Sequence, residues 1–390
     1  MVARLRMGMV GGGSGAFIGA VHRMAAALDG QIDLVCGAFS RDHANCLATG
    51  EELGLAPARC YPDLDAMLAG ERERSEDGMQ CLSIVTPNNT HVPMAMSAVQ
   101  AGIHVMSDKP AGVSLAEVEQ LGGALDGAGV QYGLTHTYLG YPMVWQARHL
   151  ANSPEFGPIR KVHVQYTQGW LAQQAEDGSK QAAWRVDPAL AGPAGALGDI
   201  GSHAHSLAEF ISNSRMNSLS AHLRSHFDDR ALDDDGEILF TLENGATGSL
   251  ISSQICAGDE NDLAIRIYGT NASLEWRQME PNSLIERRAS GVLIHRAGVD
   301  KPLCDEALAR CRLPSGHPEG YLEAFAILYR NFACAIRDGV SPASLGVPGL
   351  AEGLRGMAFL EAAVASSAAG GVWTDIKAPS VGADREGLLA

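Results

Sequence analysis

The chain has 390 residues, 46% hydrophobic and 19% charged, the balance of an ordinary globular protein with length for two or three domains. Its 45 acidic and 29 basic side chains leave a formal net charge of −16, which repels phosphate backbones and anionic lipid and so excludes nucleic acid and membrane surfaces as main partners. Eight scattered cysteines form no C-x-x-C pair, no apolar run reaches the roughly 18 residues of a membrane span, and the N-terminus lacks the apolar core of about 7–15 residues of a signal peptide; reduced thiols in a cytoplasmic protein are expected.

In chain order, LRMGMV (5–10) reads as a strand that runs into the glycine cluster GGGSG (11–15). FIGAVHRMAAALDG (17–30) follows as a helix closed by Gly30. IDLVCGAF (32–39) is a second strand and HANCLATGEELGL (43–55) a second helix. QCLSIVT (80–86), THVPMAMSAVQAG (90–102) and IHVMS (103–107) read as strand, helix and strand. SLAEVEQLGGALDGAG (114–129) is a helix whose Ser114 and Glu117 form a capping box, and QYGLTHT (131–137) closes the series. This alternation predicts an α/β fold with a doubly wound parallel sheet over residues 1–138.

Beyond residue 140 the texture changes to the longer strand-like runs 159–171, 218–227, 237–256 and 262–276. Asn244-Gly245 between two β-rich runs marks a hairpin. DDRALDDDGE (228–237) is a charge run that reads as a solvated loop, and helix patterns cover 321–339 and 349–371. Residues 139–390 are therefore expected to form an α+β domain with a large open, mainly antiparallel sheet. A Rossmann-type domain joined to such a partner favours the cleft between them as the working site.

In a dinucleotide-binding turn the first glycine allows the tight bend and the second lets the pyrophosphate approach the backbone. Gly11 and Gly13 fit these roles directly after a strand, with Ser14 beside them; the third small residue is Ala16 or, if the loop is longer, Gly19. At the end of the second strand, Ser40 and Arg41 suit a 2′-phosphate and lean the reading towards NADP. Asp42, one residue on, would instead suit the free ribose hydroxyls of NAD.

Three further stretches carry a resemblance. HVMSDKPAG (104–112) puts Asp-Lys-Pro after a strand. WRVDPALAGPAGALGDIGSHAHSL (184–207) sets Asp199 and His203 at i, i+4 behind a Gly/Pro-rich loop. VTPNNTH (85–91) supplies a polar turn. With the glycine turn they resemble the glucose–fructose oxidoreductase / inositol dehydrogenase (Gfo/Idh/MocA) family, and IRIYGTNASLE (265–275) and YLEAFAILYRNFACAIRDG (321–339) extend the likeness over nearly the whole chain. The resemblance implies that Gly11 and Gly13 face the pyrophosphate and that Thr86, Pro87, Asn88 and His91 line the nicotinamide side. It makes Lys109 the motif lysine, with Asp108 before it and Pro110 setting its backbone, and Asp199 and His203 the polar pair across the cleft. Asp108 departs from the family's Glu, Ala194 from its first loop glycine, and Thr137 from a frequent Asn. The resemblance also implies a homo-oligomer, dimer or tetramer, built on the open sheet face.

Oxidising a secondary alcohol sends a hydride to a nicotinamide and a proton to a base. An unperturbed imidazole titrates near neutrality, which makes His203 the natural candidate base; Asp199 would share its helix face, and Lys109 would hold the alcohol oxygen or relay the proton itself. Tyr141, Trp170, Lys180, Trp184 and Arg185 fall in stretches that the resemblance places around the cleft, and His317 would read a substrate hydroxyl. Trp184 is read as a site residue and Trp170 as core or interface. Taken singly, each of these residues reads as easily as a solvated loop or packing residue; their joint order carries the functional reading. His203 and His205 would diverge by roughly 200° on a helix, so no metal is expected. The expected activity is hydride transfer between NAD(P) and a secondary alcohol or ketone of a sugar, sugar derivative or cyclitol, a neutral sugar or inositol first, with Lys180 and Arg185 leaving a phosphorylated or acidic sugar as the alternative. The rivals are an enzyme that recycles a tightly bound dinucleotide, with net transfer or glycoside cleavage through a ketone, and a non-catalytic dinucleotide sensor.

Overall fold

The computed structural model describes residues 3–173, 184, 185, 187–228, 230–379 and 387–389; Lys180 lies outside them. The chain divides into two compact units, one holding the residues up to Thr135 together with Phe325–Leu354, the other holding His136–Ala324 and Arg355–Pro379. The sequence reading put all of 139–390 in the second domain, so residues 325–354 are a correction. Their place follows from their contacts: the Pro348 carbonyl accepts the Leu134 amide at 2.8 Å, and the Tyr329 hydroxyl meets Ser83 and His22.

In the first unit, β1 (Leu5–Gly11), α1 (Phe17–Leu28), β2 (Ile32–Ala38), α2 (His43–Glu52) and α3 (Leu64–Arg72) come first. Then follow β3 (Cys81–Val85), α4 (His91–Gln100), β4 (His104–Ser107), α5 (Leu115–Leu125) and β5 (Tyr132–Leu134). The strands are all parallel in the order β2-β1-β3-β4-β5. Every residue of β3 is buried, as a central parallel strand covered on both faces requires. Ser114 accepts the Glu117 amide and the Glu117 carboxylate reaches back to the Val113 amide, which starts α5 where the capping box predicts it. Helix α3 was not anticipated; Asp63 caps it through the Ala66 amide at 2.8 Å.

Parallel strands place all their carboxyl ends on one sheet edge. The glycine turn, Ser40–Arg41, Thr86–Asn88, Asp108–Lys109 and Thr135 therefore emerge side by side, and the strand order reverses between β1 and β3. This is the place where open α/β sheets bind ligands.

The second unit contains α6 (Pro142–Ala151), β6 (Lys161–Thr167), α7 (Ser202–Ser212), β7 (Met216–Arg224), β8 (Asp235–Leu242) and β9 (Thr247–Ser253). After these come β10 (Asp262–Tyr268), β11 (Ala272–Arg277), β12 (Ser283–Arg288) and β13 (Gly291–Arg296). Helix α8 (Tyr321–Asp338) joins the first unit from Phe325 onward, and α9 (Leu350–Ala368) and β14 (Thr374–Asp375) complete the chain. The sheet order is β13-β12-β11-β10-β6-β9-β8-β7-β14, antiparallel except for the β6–β9 pair. Asn244-Gly245 makes the expected hairpin, with Gly245 at φ +83°. Along β8, Ile238, Phe240 and Leu242 are buried while Glu237 and Leu239 face outward, the alternation of a sheet covered on one side. Among the described residues, no helix is long and apolar enough to cross a membrane.

Candidate active site

The glycine turn is built by close backbone approach. Gly11, Gly12 and Gly15 have φ of +82°, +72° and +87°, a region that side-chain-bearing residues disfavour. A β-carbon on Gly11 would fall 2.7 Å from a Thr86 methyl, and one on Gly13 would fall 2.9 Å from the Phe39 carbonyl. Of the two candidates for the third small residue, Ala16 precedes α1 as its N-cap, while Gly19 lies inside the helix against Gly12. Gly19 is thus the close-packing glycine. The amides of Gly13, Ser14 and Ala16 bond within the unit, to the Phe39 carbonyl, the Thr49 hydroxyl and the Gly13 carbonyl. Alanine offers no side-chain cap, and the first amides of a helix have no acceptor within it, so the start of α1 has donors to offer an anion. These features fit a dinucleotide phosphate.

At the end of β2, Asp42 caps α2 by accepting the Ala44 amide at 3.0 Å, and its own amide donates to the Ser40 hydroxyl at 3.1 Å. Arg41 is exposed at this edge.

The Asp108-Lys109-Pro110 loop is held from several sides, and the Lys109–Pro110 peptide is cis. Asp108 Oδ1 accepts the Lys109 amide at 2.9 Å and the Thr135 hydroxyl at 2.7 Å, while Oδ2 faces His22 Nε2 at 3.8 Å. Burial pushes the Asp108 carboxyl upward, but His22, the Lys109 charge and the Thr135 hydroxyl outweigh it and hold the group well below the usual carboxylate range. His91, expected on the nicotinamide side, is 1% exposed. Its ring nitrogens lie 2.8 Å from the Pro110 carbonyl and 2.9 Å from the Thr86 carbonyl, so it ties the lysine loop to the loop after β3. Asn88 is likewise buried, whereas Thr86 and Pro87 are partly open; the Thr90 hydroxyl donates to the Pro87 carbonyl at 2.7 Å and lies 2.7 Å from the Thr86 hydroxyl.

His22 is the residue that sequence reasoning passed over. It is fully buried on α1, with Nδ1 2.6 Å from the Tyr329 hydroxyl, which is itself 2.7 Å from Ser83 Oγ. A histidine on the apolar stripe of a helix was the available signal.

In the second unit Asp199 sits in a π-helical turn, Leu197–Gly201, that runs into α7. Asp233 builds this turn: its carboxylate accepts the Gly195 amide at 2.6 Å and the Leu197 amide at 2.8 Å. Burial pushes the Asp233 carboxyl up to about 6, against the pull of those amides. The neighbouring Asp234 is buried and accepts from Arg230 at 2.8 Å and from the His226 ring. Within the charge run read as a solvated loop, Asp233 and Asp234 are thus anchors, while Asp228, Ala231 and Glu237 are exposed as expected. Asp199 Oδ2 accepts from Gln254 Nε2 at 3.0 Å and pairs with Arg185 Nε at 3.3 Å, and the Arg185 guanidinium lies over the Trp184 ring at 4.4 Å.

His203, partly exposed on α7, packs edge-on to Tyr138 at 4.8 Å and to His136 at 5.6 Å between ring centroids. The Tyr138 and Tyr166 hydroxyls bond each other, Tyr166 donates to Asn261 Oδ1 at 2.9 Å, and burial pushes both phenols well above their usual value. His205 turns elsewhere: it stacks on Phe359 at 4.3 Å, with Nε2 3.2 Å from Glu209. Three expectations are corrected. Tyr141 is 2% exposed and packs on Trp276 as core. His317 is exposed on a turn with its ring 3.2 Å from the Pro314 carbonyl, away from this cluster's contacts. Trp170, read as core or interface, is 43% exposed, which excludes core of the two, and it donates to Gln168 at 2.9 Å. Thr137 is buried.

A parallel sheet whose carboxyl edge carries a glycine cradle and a braced lysine defines a dinucleotide-binding oxidoreductase. Residues 5–136 match the oxidoreductase family with an NAD-binding Rossmann fold, and residues 144–275 match the GFO/IDH/MocA C-terminal domain. The uncharacterized oxidoreductase YfiI of Bacillus subtilis is 35% identical, over 96% of this chain and 97% of its own length. An inositol dehydrogenase homolog from Azotobacter vinelandii, solved with NAD+, matches with a TM-score of 0.91 at 37% identity, over 95% of this chain and 97% of that one. Its complex with NADH and myo-inositol matches at 0.89 and 36% over the same shares. The chain belongs to the Gfo/Idh/MocA family of sugar and cyclitol oxidoreductases. It is an NAD(P)-dependent oxidoreductase acting on CH–OH groups.

Proposed function

We propose that this chain oxidises a ring secondary alcohol of a neutral cyclitol or sugar, an inositol first. The observation that carries the reading is Lys109, braced by Asp108 and His91 on the same sheet edge as the glycine turn. The inositol dehydrogenase homolog solved with NADH and myo-inositol supports the cyclitol choice. Gly11, Gly13 and the first amides of α1 hold the pyrophosphate, and Thr86 and Pro87 border the nicotinamide. When bound, the nicotinamide accepts the hydride. Lys109 hydrogen-bonds the alcohol oxygen, steadies the negative charge that develops there and takes its proton. Asp199, held by Gln254 and Arg185, reads substrate hydroxyls together with His203. Trp184 offers a flat face to an apolar ring surface.

Arg41 and Ser40 favour NADP in this reading, because Asp42 is engaged as a helix cap and Arg41 is exposed beside it. The outward Leu239 and Ile251 and the exposed Val292–Ile294 edge support a homo-oligomer built on that sheet.

The test is a fluorescence titration with NADPH and NADH, followed by turnover with myo-inositol and neutral sugars. Lys109→Ala is expected to abolish turnover while leaving dinucleotide binding within about threefold. Unchanged turnover would refute the role of Lys109, and tighter binding of NADH than NADPH would refute the cofactor preference.

A further inference from the structure

The Asp108 carboxylate accepts the Lys109 amide at 2.9 Å, so what faces that carboxylate from behind bears on the lysine loop. The first unit contains a buried chain of polar groups aimed at that carboxylate. Ser83 Oγ lies 2.7 Å from the Tyr329 hydroxyl, which lies 2.6 Å from His22 Nδ1, while His22 Nε2 faces Asp108 Oδ2 at 3.8 Å. Ser83, Tyr329 and His22 are all essentially inaccessible to solvent.

The direction of the chain follows from donor and acceptor chemistry. An ionised carboxylate only accepts, so the nitrogen facing it is favoured as the N–H. A neutral imidazole with its proton on Nε2 must accept at Nδ1, and Tyr329 has the hydroxyl to donate there. Tyr329 can then accept the Ser83 hydroxyl. Every donor points towards Asp108. The opposite tautomer would turn the Nε2 lone pair onto a carboxylate, which is repulsive in so dry a place.

We propose that His22, fixed as its Nε2–H tautomer by Tyr329 and Ser83, is a positioning residue that offsets the charge of Asp108 and so sets how readily Lys109 takes up and releases a proton. This rests on the role of Lys109 given above. The ionisable groups around the relay are Cys81 on β3, Tyr329 on α8, and Asp108 and Lys109 behind β4. Arg23, the next residue on α1, turns away to the Gly12 carbonyl at 2.6 Å. Tyr329 stays a phenol through the working range, because burial pushes its proton loss upward.

Two readouts test this. The first is long-range ¹H–¹⁵N NMR of histidine-labelled protein, which reports the His22 tautomer with no need for turnover. An Nε2–H pattern that is lost in Tyr329→Phe is expected; an Nδ1–H ring in the native protein overturns the proposal. The second is the pH profile of kcat/KM for alcohol oxidation. His22→Phe leaves Asp108 uncompensated, so the ascending limb is expected to move up by about one pH unit with kcat reduced about tenfold. Asp108→Asn is expected to move the same limb down. His22→Gln keeps an amide donor and is expected to hold the native limb. Tyr329→Phe, which alters one oxygen, serves where His22→Phe does not fold, and it too is expected to shift the limb. Limbs that coincide with the native one in His22→Phe or Tyr329→Phe overturn the proposal. Absence of turnover with every polyol, beside an Nε2–H His22, would instead fail the proposed reaction and leave the relay standing.

Discussion

A β-carbon built on Gly19 falls 2.3 Å from the α-carbon of Gly12, so the first turn of α1 rests directly on the backbone of the glycine turn. Neither partner has room to yield, because both contacts are main chain. Gly19→Ala is expected to push α1 off the turn, costing about 1–3 kcal/mol and weakening NAD(P)H binding more than tenfold. Urea unfolding and a fluorescence titration of the same preparation would show both losses together.

Asp233 holds the Gly195 and Leu197 amides that shape the π turn carrying Asp199. In Asp233→Ala those two amides lose their acceptor, for a cost of about 1–3 kcal/mol each where they stay dry. The expected kinetic signature is a raised KM for the polyol with unchanged dinucleotide affinity, since Asp233 lies in the second unit. Steady-state kinetics with each substrate varied in turn would reveal it.

His91 links the Thr86 and Pro110 carbonyls. Replacing it with alanine removes that tie from the Lys109 loop, and a loss of about 1–3 kcal/mol is expected. Activity should fall by more than stability alone predicts, because Lys109 loses its fixed position. Activity measured well below the melting temperature separates the two effects.

Glu209 is buried among His205, Arg355 and the Met216 amide. Burial raises its carboxyl, yet His205 and Arg355 outweigh this and bring it down from 4.5 to about 2. A depressed carboxyl stabilises the fold fully above its unfolded value, and that stabilisation drains away as pH falls from there through the native value. Glu209→Gln is therefore expected to be less stable than the native chain at pH 7, by about 3–5 kcal/mol for a broken buried pair. The gap should narrow between about pH 4.5 and 2. Urea midpoints collected across that range would trace the convergence.

Much of the first unit was legible because parallel strands are buried on both faces and show as short apolar runs; β1 to β5 all stand where such runs occur. Helix α3 escaped because its segment, LDAMLAGER, is short and rich in charge, and β12 and β13 escaped because SLIERR and GVLIHR end in basic residues. Glu286 shows why β12 can exist at all: it is buried, but Arg288 on its own strand and His295 across the hairpin pair with it. Motif order singled out Lys109, which stands at the carboxyl edge of the first sheet, and Asp199 and His203, which stand in and after the π turn of the second unit. Tyr141 and His317 were misplaced because an aromatic or a histidine near a motif says nothing about which way its side chain packs.

The sequence by itself determined what is local: which runs alternate as strand and helix, where the backbone needs glycine, and which loops follow which strands. Tertiary structure alone decided the partners. His22 meets Tyr329 across 307 residues, and Asp233 meets Gly195 across 38. Hydropathy and spacing mark such groups as polar in an apolar setting, but a hydrogen bond requires donor and acceptor within about 3 Å. Only the packing of α8 beside α1 and β3 brings the Tyr329 hydroxyl that close to His22 and Ser83.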